Sequence, residues 1–173
     1  MINYNEQNMM ITPFKSLILH IKTLLPVVLF ITCSFSVHAS SLQVGSTIEQ
    51  FKLQDQFKTA DSNNLDTTHL LFTRSMKGGT IIEKALNSDA SLYENQNLIY
   101  ITDISGMPSL VYRFVAMPSF KKYPFKLAID SGGYTTNSLP SIDDQATLML
   151  LNQGKIISIN FFDSKETLIE ALH

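Results

Sequence analysis

Residues 69–86 of the chain read HLLFTRSMKGGTIIEKAL, and residues 98–108 read LIYITDISGMP. The two stretches open on the runs 69–73 and 98–102, which are largely apolar, as expected for central strands covered on both faces of a sheet. Between these runs, residues 80–86 space their apolar side chains along one side of a helix that opens after two glycines. The sequence therefore predicts a β-α-β unit with two parallel neighbouring strands.

Further strand patterns surround this unit. They occur at 50–54, 125–129, 147–151 and 156–162. The first alternates polar and apolar residues and is followed by a turn, which predicts an N-terminal β-hairpin with a short return strand. The last two flank Asn152-Gln153-Gly154-Lys155, in which Asn152 and Gly154 can adopt the positive φ of a tight hairpin. These patterns predict an N-terminal hairpin before the β-α-β unit, a further strand at 125–129 after it, and an antiparallel pair near the C-terminus.

Two further helices are predicted, at residues 108–115 and 164–172. In the first, Pro108 would occupy the first turn, where a helix tolerates proline. Its expected apolar face consists of Leu110, Val111, Phe114 and Val115. In the second, Ser164 is the expected N-cap. The complete order predicts an α/β fold with a central mixed sheet flanked by helices.

The N-terminus has the three-part pattern of a secretory signal peptide. Lys15 and Lys22 precede a run of apolar and small residues at 23–37, which is too short to cross a bilayer, and small residues lie at Val37 and Ala39. We predict cleavage after Ala39, so that residues 1–39 form the leader and no stable membrane anchor is left. Translation could start at Met1, or at Met9 or Met10. The predicted location is the periplasm.

Residues 40–173 form one predicted domain that contains no cysteine, because the single cysteine of the chain, Cys33, lies in the predicted leader. A domain without thiols cannot form a disulfide or a cysteine metal site. The domain carries 11 basic and 14 acidic side chains and no basic cluster, which argues against nucleic-acid binding. His69 and His173 are its two histidines, and no metal site is predicted.

Short motifs in this order resemble the thioredoxin-like superfamily, in the form shared by peroxiredoxins and exported thiol–disulfide reductases. Residues 51–56 (FKLQDQ) after Gly45 resemble the opening of peroxiredoxin-like chains, and 123–125 (YPF) and 154–157 (GKII) resemble later segments. Residues 101–108 (ITDISGMP) resemble an exported bacterial group of unassigned function. The resemblance implies a three-layer thioredoxin-like fold over residues 43–172.

The resemblance also shows what this chain lacks. Peroxiredoxins carry their reactive cysteine at the place of Thr80, and the reductases carry Cys-x-x-Cys shortly after the strand ending near Phe72. The family's cis-proline would precede residue 147, where this chain has Asp-Asp-Gln-Ala. A hydroxyl cannot replace a thiolate in disulfide exchange or peroxide reduction. We therefore predict that the protein is neither a thiol-disulfide oxidoreductase nor a cysteine peroxidase.

Candidate binding residues follow the two central strands, since ligands of open α/β sheets bind at the carboxyl ends of the strands. Backbone amides at helix starts could add anion binding there. The candidates are Arg74, Ser75, Gly78, Gly79, Asp103 and Ser105. Two interpretations remain open: a site for a carboxylate or phosphate group, or an Arg74–Asp103 ion pair that braces two loops.

These observations predict a binding or accessory module whose partner is an envelope protein or a small anionic ligand. No cofactor is predicted, because the chain lacks the Gly-rich dinucleotide signature. The alternative is an oxidoreductase or other enzyme that uses a cofactor such as flavin at the carboxyl edge of the sheet, which is what the resemblance to the exported group implies.

Overall fold

The computed structural model of the chain describes residues 41–89, 91–94 and 97–173, so the predicted leader and its cleavage site lie outside the described residues. Seven strands in this part form one mixed sheet in the order β2-β1-β5-β4-β3-β6-β7. They are β1 (Leu53–Asp55), β2 (Ala60–Asp61), β3 (His69–Thr73), β4 (Leu98–Asp103), β5 (Ala128–Asp130), β6 (Ala146–Asn152) and β7 (Lys155–Phe162). Strands β3, β4 and β5 run parallel, and the other pairs are antiparallel.

Helices connect and follow the strands. They are α1 (Met76–Ser88), α2 (Ser91–Glu94), α3 (Ser109–Val111), α4 (Met117–Phe120) and α5 (Lys165–Leu172), with a π-helical turn at Tyr112–Ala116 between α3 and α4. No helix in the described part of the chain has the length and apolar character needed to cross a bilayer. The β-α-β unit and the closing helix are where the sequence patterns predict them.

The central strands are buried on both faces because their apolar side chains alternate between two cores. Leu71 points into a core shared with Ile82 of α1 and Leu168 of α5. Leu70 and Phe72 point into a second core on the opposite face. The chain that packs on that second face comes from segments around Ile48 and Leu139, which are not helical. Helices therefore cover one face of the sheet, and irregular, non-helical chain covers the other.

Two predicted strands are displaced, and buried side-chain amides explain both. Strand β1 begins at Leu53 instead of residue 50, because the Phe51 amide donates to Asn63 Oδ1 at 2.9 Å. Strand β5 begins at Ala128 instead of residue 125. Here Gln56 Nε2 donates to the Phe125 carbonyl at 2.8 Å, and the Leu127 amide donates to Gln56 Oε1 at 3.0 Å. A side chain thus takes the place of a strand partner.

The helix predicted at 108–115 shows a different apolar face. Leu110 is 70% exposed and Phe114 is 67% exposed, while Tyr112 and Met117 pack against the first core. The sequence pattern assumed 3.6 residues per turn, whereas the π-helical turn inserts an additional residue and changes which side chains face inward. Pro108 is the N-cap and not part of the first turn. The predicted face was therefore wrong.

The C-terminal hairpin agrees with its prediction except at one residue of the turn. Positive φ occurs at Gln153 (48°) and Gly154 (77°), so Gln153 takes the place expected for Asn152. Ser164 caps α5 as predicted, because its side chain accepts from the Thr167 amide. Register along β6 and β7 shifts between Leu150 and Leu151, where the ladder contains an irregularity.

Candidate functional site

The carboxyl ends of β3 and β4 lie side by side, as the β-α-β prediction requires. Thr73 pairs with Thr102 in the parallel register, which places Arg74 next to Asp103. Asp103 in turn pairs with Asp130 at the end of β5. Three strands therefore deliver polar side chains to one edge of the sheet.

Arg74 forms the ion pair that one of the two interpretations expected. Its Nε donates to Asp103 Oδ2 at 3.2 Å, and Nη1 donates to Ser141 Oγ at 3.1 Å. The remaining nitrogen, Nη2, donates to the carbonyl oxygens of Thr136 and Asn137. The guanidinium also lies over the Phe72 ring, 5.1 Å from its centroid. Each guanidinium nitrogen thus has an acceptor, and Arg74 braces the loop that follows β5.

Asp130 organises that loop from inside. It is 5% exposed, and its Oδ1 accepts hydrogen bonds from the amides of Gly132 and Gly133 at 3.1 and 2.8 Å. Its Oδ2 accepts from the Thr136 amide at 2.9 Å and from the Thr136 hydroxyl at 3.0 Å. Four donors therefore converge on one buried carboxylate, and they fix the position of the Thr136 carbonyl that Arg74 contacts.

Asp103 is a buried carboxylate whose charged form is stabilised by its neighbours. Burial by itself would raise the pKa of Asp103, but hydrogen bonds from Ser105 and from Arg74 hold that pKa below its usual value. The Ser105 amide donates to Asp103 Oδ1 at 2.9 Å. Ser105, a predicted binding residue, thus forms the turn beside Asp103.

This arrangement predicts a specific loss of stability in acid. A carboxyl whose folded-state pKa is depressed stabilises the fold above its unfolded value, here 3.8, and the contribution disappears as the pH falls through the folded-state pKa. We expect the free energy of unfolding of the wild type to fall more steeply than that of Asp103→Asn below about pH 4. Urea unfolding at stepped pH measures the difference. Asp143→Asn, at an exposed carboxylate, is the control and should keep the wild-type slope. Parallel curves for wild type and Asp103→Asn would contradict the assignment.

The two glycines before the predicted helix lie inside its first turn. Helix α1 starts at Met76 because Ser75 is its N-cap, with the Ser75 hydroxyl accepting from the Gly78 amide at 3.0 Å. Gly78 packs against the backbone of Gln145, where a side chain would have no room. At Gly79, by contrast, a side chain would meet its nearest atoms at ordinary contact distance. The predicted helix start at residue 80 was wrong by one turn.

A cleft of about 460 Å³ opens at this edge, between α1 and the segment from Ile104 to Tyr123. Of the six predicted binding residues, four line it, and Gly78 and Ser105 lie outside its wall. The four are Arg74, Ser75, Gly79 and Asp103. Val115 and Ala116, from the π-helical turn, form part of the opposite wall. Such turns are frequent at functional sites.

Three polar side chains in the cleft were missed by the sequence analysis. Tyr100 is 4% exposed, lines the cleft, and its hydroxyl has no hydrogen-bond partner among the described residues. The Tyr123 hydroxyl donates to Glu83 Oε2 at 2.9 Å, and both residues line the cleft. Tyr100 lies in an apolar strand pattern and Glu83 on the expected polar side of α1, so neither stood out as a binding residue. Only their contact in three dimensions identifies them.

A second groove, of about 570 Å³, lies between residues 42–52 and 134–139. Its polar lining residues, Lys52 and Tyr134 among them, are exposed or half-buried, and its buried members, Ile48 and Leu139, are apolar. A surface groove of this kind does not hold a buried polar group toward a ligand. The cleft beside α1 is therefore the better candidate site.

The histidines belong to neither cavity. His69 is half-buried at the start of β3, and its Nδ1 lies 2.9 Å from the Thr68 hydroxyl. Burial lowers the pKa of His69, so the imidazole is held neutral. His173 Nε2 lies 3.8 Å from Asp89 Oδ2 after the end of α5. Both histidines occupy structural positions.

No protein-family model and no curated protein matches the chain. Solved structures do match. Peroxidoxin BcpB from Mycobacterium tuberculosis aligns with a TM-score of 0.54 at 14% identity over 76% of this chain and 94% of that one. StoA from Bacillus subtilis aligns with a TM-score of 0.52 at 16% identity over 73% and 98%. A conserved protein of unknown function from Bacteroides fragilis aligns with a TM-score of 0.50 at 14% identity over 76% and 100%.

Sequence identities this low support a similarity of fold and do not indicate a shared function. The mixed sheet, the parallel β3-α1-β4 unit and the antiparallel hairpin that precedes the last helix agree with the architecture predicted from the sequence. The chain has a thioredoxin-like fold, and its structural neighbours at low identity include peroxiredoxins and thiol-disulfide oxidoreductases.

Proposed function

We propose that the protein is an exported binding protein that uses the thioredoxin-like fold without thiol chemistry, and that its ligand occupies the cleft beside α1. The observation that carries this proposal is the cleft itself, into which Tyr100 presents a hydroxyl that has no hydrogen-bond partner among the residues that the structure describes. A pre-formed, mostly apolar cavity with a few convergent polar groups is the usual form of a small-molecule site.

The sequence around the first turn of α1 supports the proposed absence of thiol chemistry. This turn and the residues before it, 73–80, read TRSMKGGT. Thr80 is exposed and its hydroxyl donates to the Met76 carbonyl at 2.9 Å, which is the behaviour of an ordinary helix residue. If the leader is removed after Ala39, no thiol is left in the protein, since Cys33 is the single cysteine of the chain.

Export and loss of the thiol are tested together by intact mass. The full chain, expressed in a Gram-negative host and recovered from the periplasmic fraction, should have the mass of residues 40–173 and should not react with a maleimide. A periplasmic protein that keeps Cys33, or a product that stays in the cytoplasm, would contradict the proposed export. A yellow preparation with flavin absorbance would instead favour the enzymatic alternative.

Ligand binding in the cleft is tested by obstructing it. Ser119 is exposed and lines the cleft, whereas Ser109 is exposed and lies outside the cleft wall. Small molecules that co-purify with the periplasmic protein can be released by denaturation and quantified by mass spectrometry. We expect Ser119→Trp to deplete the bound molecule by about tenfold relative to Ser109→Trp, since an indole in the cleft competes for the same volume. Equal amounts in the two variants, or no co-purifying molecule in either, would overturn the assignment of the cleft.

A further inference from the structure

Some of the charged side chains on the cleft wall are paired with an opposite charge, and one is not. The Lys, Arg, Asp and Glu side chains that line it are Arg74, Asp103 and Glu83. The first two form an ion pair with each other at 3.2 Å, and both Nη nitrogens of Arg74 donate to the loop after β5. Glu83 has the Tyr123 hydroxyl as its hydrogen-bond partner and no ion pair among the described residues. The cleft therefore carries one carboxylate that no cation neutralises.

The two tyrosines add electron-rich groups at the same place. Burial raises the pKa of Tyr100 above its usual range, and the neighbouring Tyr123 and the charge of Glu83 raise it further. Burial also raises the pKa of Tyr123, as does its hydrogen bond to Glu83. Both phenols therefore stay protonated and neutral. The phenolic oxygen of Tyr100 can accept a hydrogen bond from a donor in the cleft.

Aromatic and apolar side chains form much of the remaining wall. The Tyr123 ring lies 5.8 Å from Phe120 and stacks on Phe125 at 5.0 Å, so it is held in one position. Met76 and Val115, which also line the cleft, are 73% and 58% exposed. A cation beside an aromatic face is attracted by the ring, and the exposed apolar residues offer contact area for an apolar body.

The positive partial charge at the amino terminus of α1 does not offset the negative charge of Glu83. Its first free amides would favour an anion, but the Gly78 amide is bonded to Ser75 Oγ. Glu83 lies seven residues into the helix from Met76, which places it about 10 Å along the axis. The helix dipole acts mainly within the first turn. The local charge near Glu83 is therefore set by its own carboxylate.

We propose that the cleft binds a protonated amine on an apolar body, with the ammonium group against Glu83 and Tyr100 and the apolar body along the wall toward Met76 and Val115. This inference rests on the proposed function, since it names the ligand class of the same cleft. It differs from the small anionic ligand that the sequence offered as one candidate, because Arg74, the cationic side chain on the described cleft wall, is already bonded within the protein.

Three probes of nearly equal size separate the ligand classes: phenylpropylamine, phenylpropanol and phenylpropionate. Titration of each into the periplasmic protein, followed by two-dimensional amide NMR, gives an affinity and locates binding through residues such as Gly79 and Thr80. We expect the amine to bind about tenfold more tightly than the alcohol, and the carboxylate to bind most weakly. Glu83→Gln should remove the preference for the amine, so that the amine and the alcohol bind with similar affinity.

Two control variants separate charge from structure. Glu94→Gln removes an exposed carboxylate of α2 outside the cleft and should leave the affinity for the amine unchanged. Tyr123→Phe removes the hydrogen bond to Glu83 while keeping the charge, and the preference for the amine should persist. If the alcohol or the carboxylate binds at the cleft as tightly as the amine, or if Glu83→Gln has no effect, the inference is overturned while the cleft remains a binding site. If no probe perturbs the cleft residues, the inference and the proposed binding site both fail.

Discussion

Asp130→Ala is expected to destabilise the protein by about 3 kcal/mol, because the loop after β5 loses the buried acceptor on which four hydrogen bonds converge. The amide and hydroxyl of the buried Thr136 would lose their acceptor, as would the amides of Gly132 and Gly133. The Thr136 carbonyl would lose its fixed position, so Arg74 would lose one of its acceptors as well. The destabilisation should therefore extend to the Arg74–Asp103 pair at the edge of the cleft.

Chemical unfolding monitored by circular dichroism measures this loss, and the same loop supplies the control. Asp143 is exposed, and Asp143→Ala should change the free energy of unfolding by less than about 0.5 kcal/mol. Asp130→Asn keeps one acceptor oxygen and should fall between the wild type and Asp130→Ala. If Asp130→Ala were as stable as Asp143→Ala, the loop would not depend on its buried carboxylate.

Two adjacent glycines should respond to alanine with opposite sign. A Cβ added at Gly78 would lie inside contact distance of the Gln145 carbonyl oxygen and 2.5 Å from the Thr73 hydroxyl, so the start of β6 would have to move. Overpacking of this kind costs about 1–3 kcal/mol. A Cβ at Gly79 would meet its nearest atoms, the Tyr100 hydroxyl and Thr73 Cγ2, at 3.6 and 3.8 Å, which is ordinary contact.

Gly79→Ala should therefore stabilise the protein by up to about 1 kcal/mol, because alanine has the higher helix propensity and both residues lie within α1. Thermal and urea unfolding of the two variants side by side provide the measurement, with each serving as the other's control. A loss of stability in Gly79→Ala similar to that in Gly78→Ala would mean that α1 needs flexible glycines at its start. Stabilisation by both would mean that Gly78 does not pack against Gln145 as closely as described.

The agreement between sequence and structure is best where a residue's environment follows from its neighbours along the chain. Strand β3 spans the predicted residues 69–73, because a short continuous apolar run is buried on both faces when it lies in the middle of a sheet. The N-cap Ser164 and the C-terminal hairpin are equally local features. The side-chain amide of Gln56 is different. It takes the place of a strand partner by bonding to Phe125, which lies 69 residues further along the chain, and no local sequence pattern could indicate that contact.

The candidate site also combines features that follow from local sequence with features that depend on residues far apart in the chain. Arg74 and Asp103 were predicted as neighbours because parallel strands align their carboxyl ends, and the pair forms. Whether Arg74 was available to a ligand depended on Thr136, Asn137 and Ser141, which come from a loop that has no periodic pattern. Tyr100 and Glu83 looked like a core residue and a solvated helix residue, and their contact with Tyr123 appears only once the chain is folded.

The sequence alone determined the order of strands and helices, the parallel pairing at the centre of the sheet and the absence of cysteine from residues 40–173. These features depend on apolar periodicity and residue identity, which can be read directly from the sequence. The tertiary structure decided which face of the 109–120 segment is buried, where the spare hydrogen-bonding capacity lies and which charge in the cleft is left uncompensated. Those depend on distances between residues far apart in sequence, and hydrogen bonds and ion pairs act only over a few ångströms.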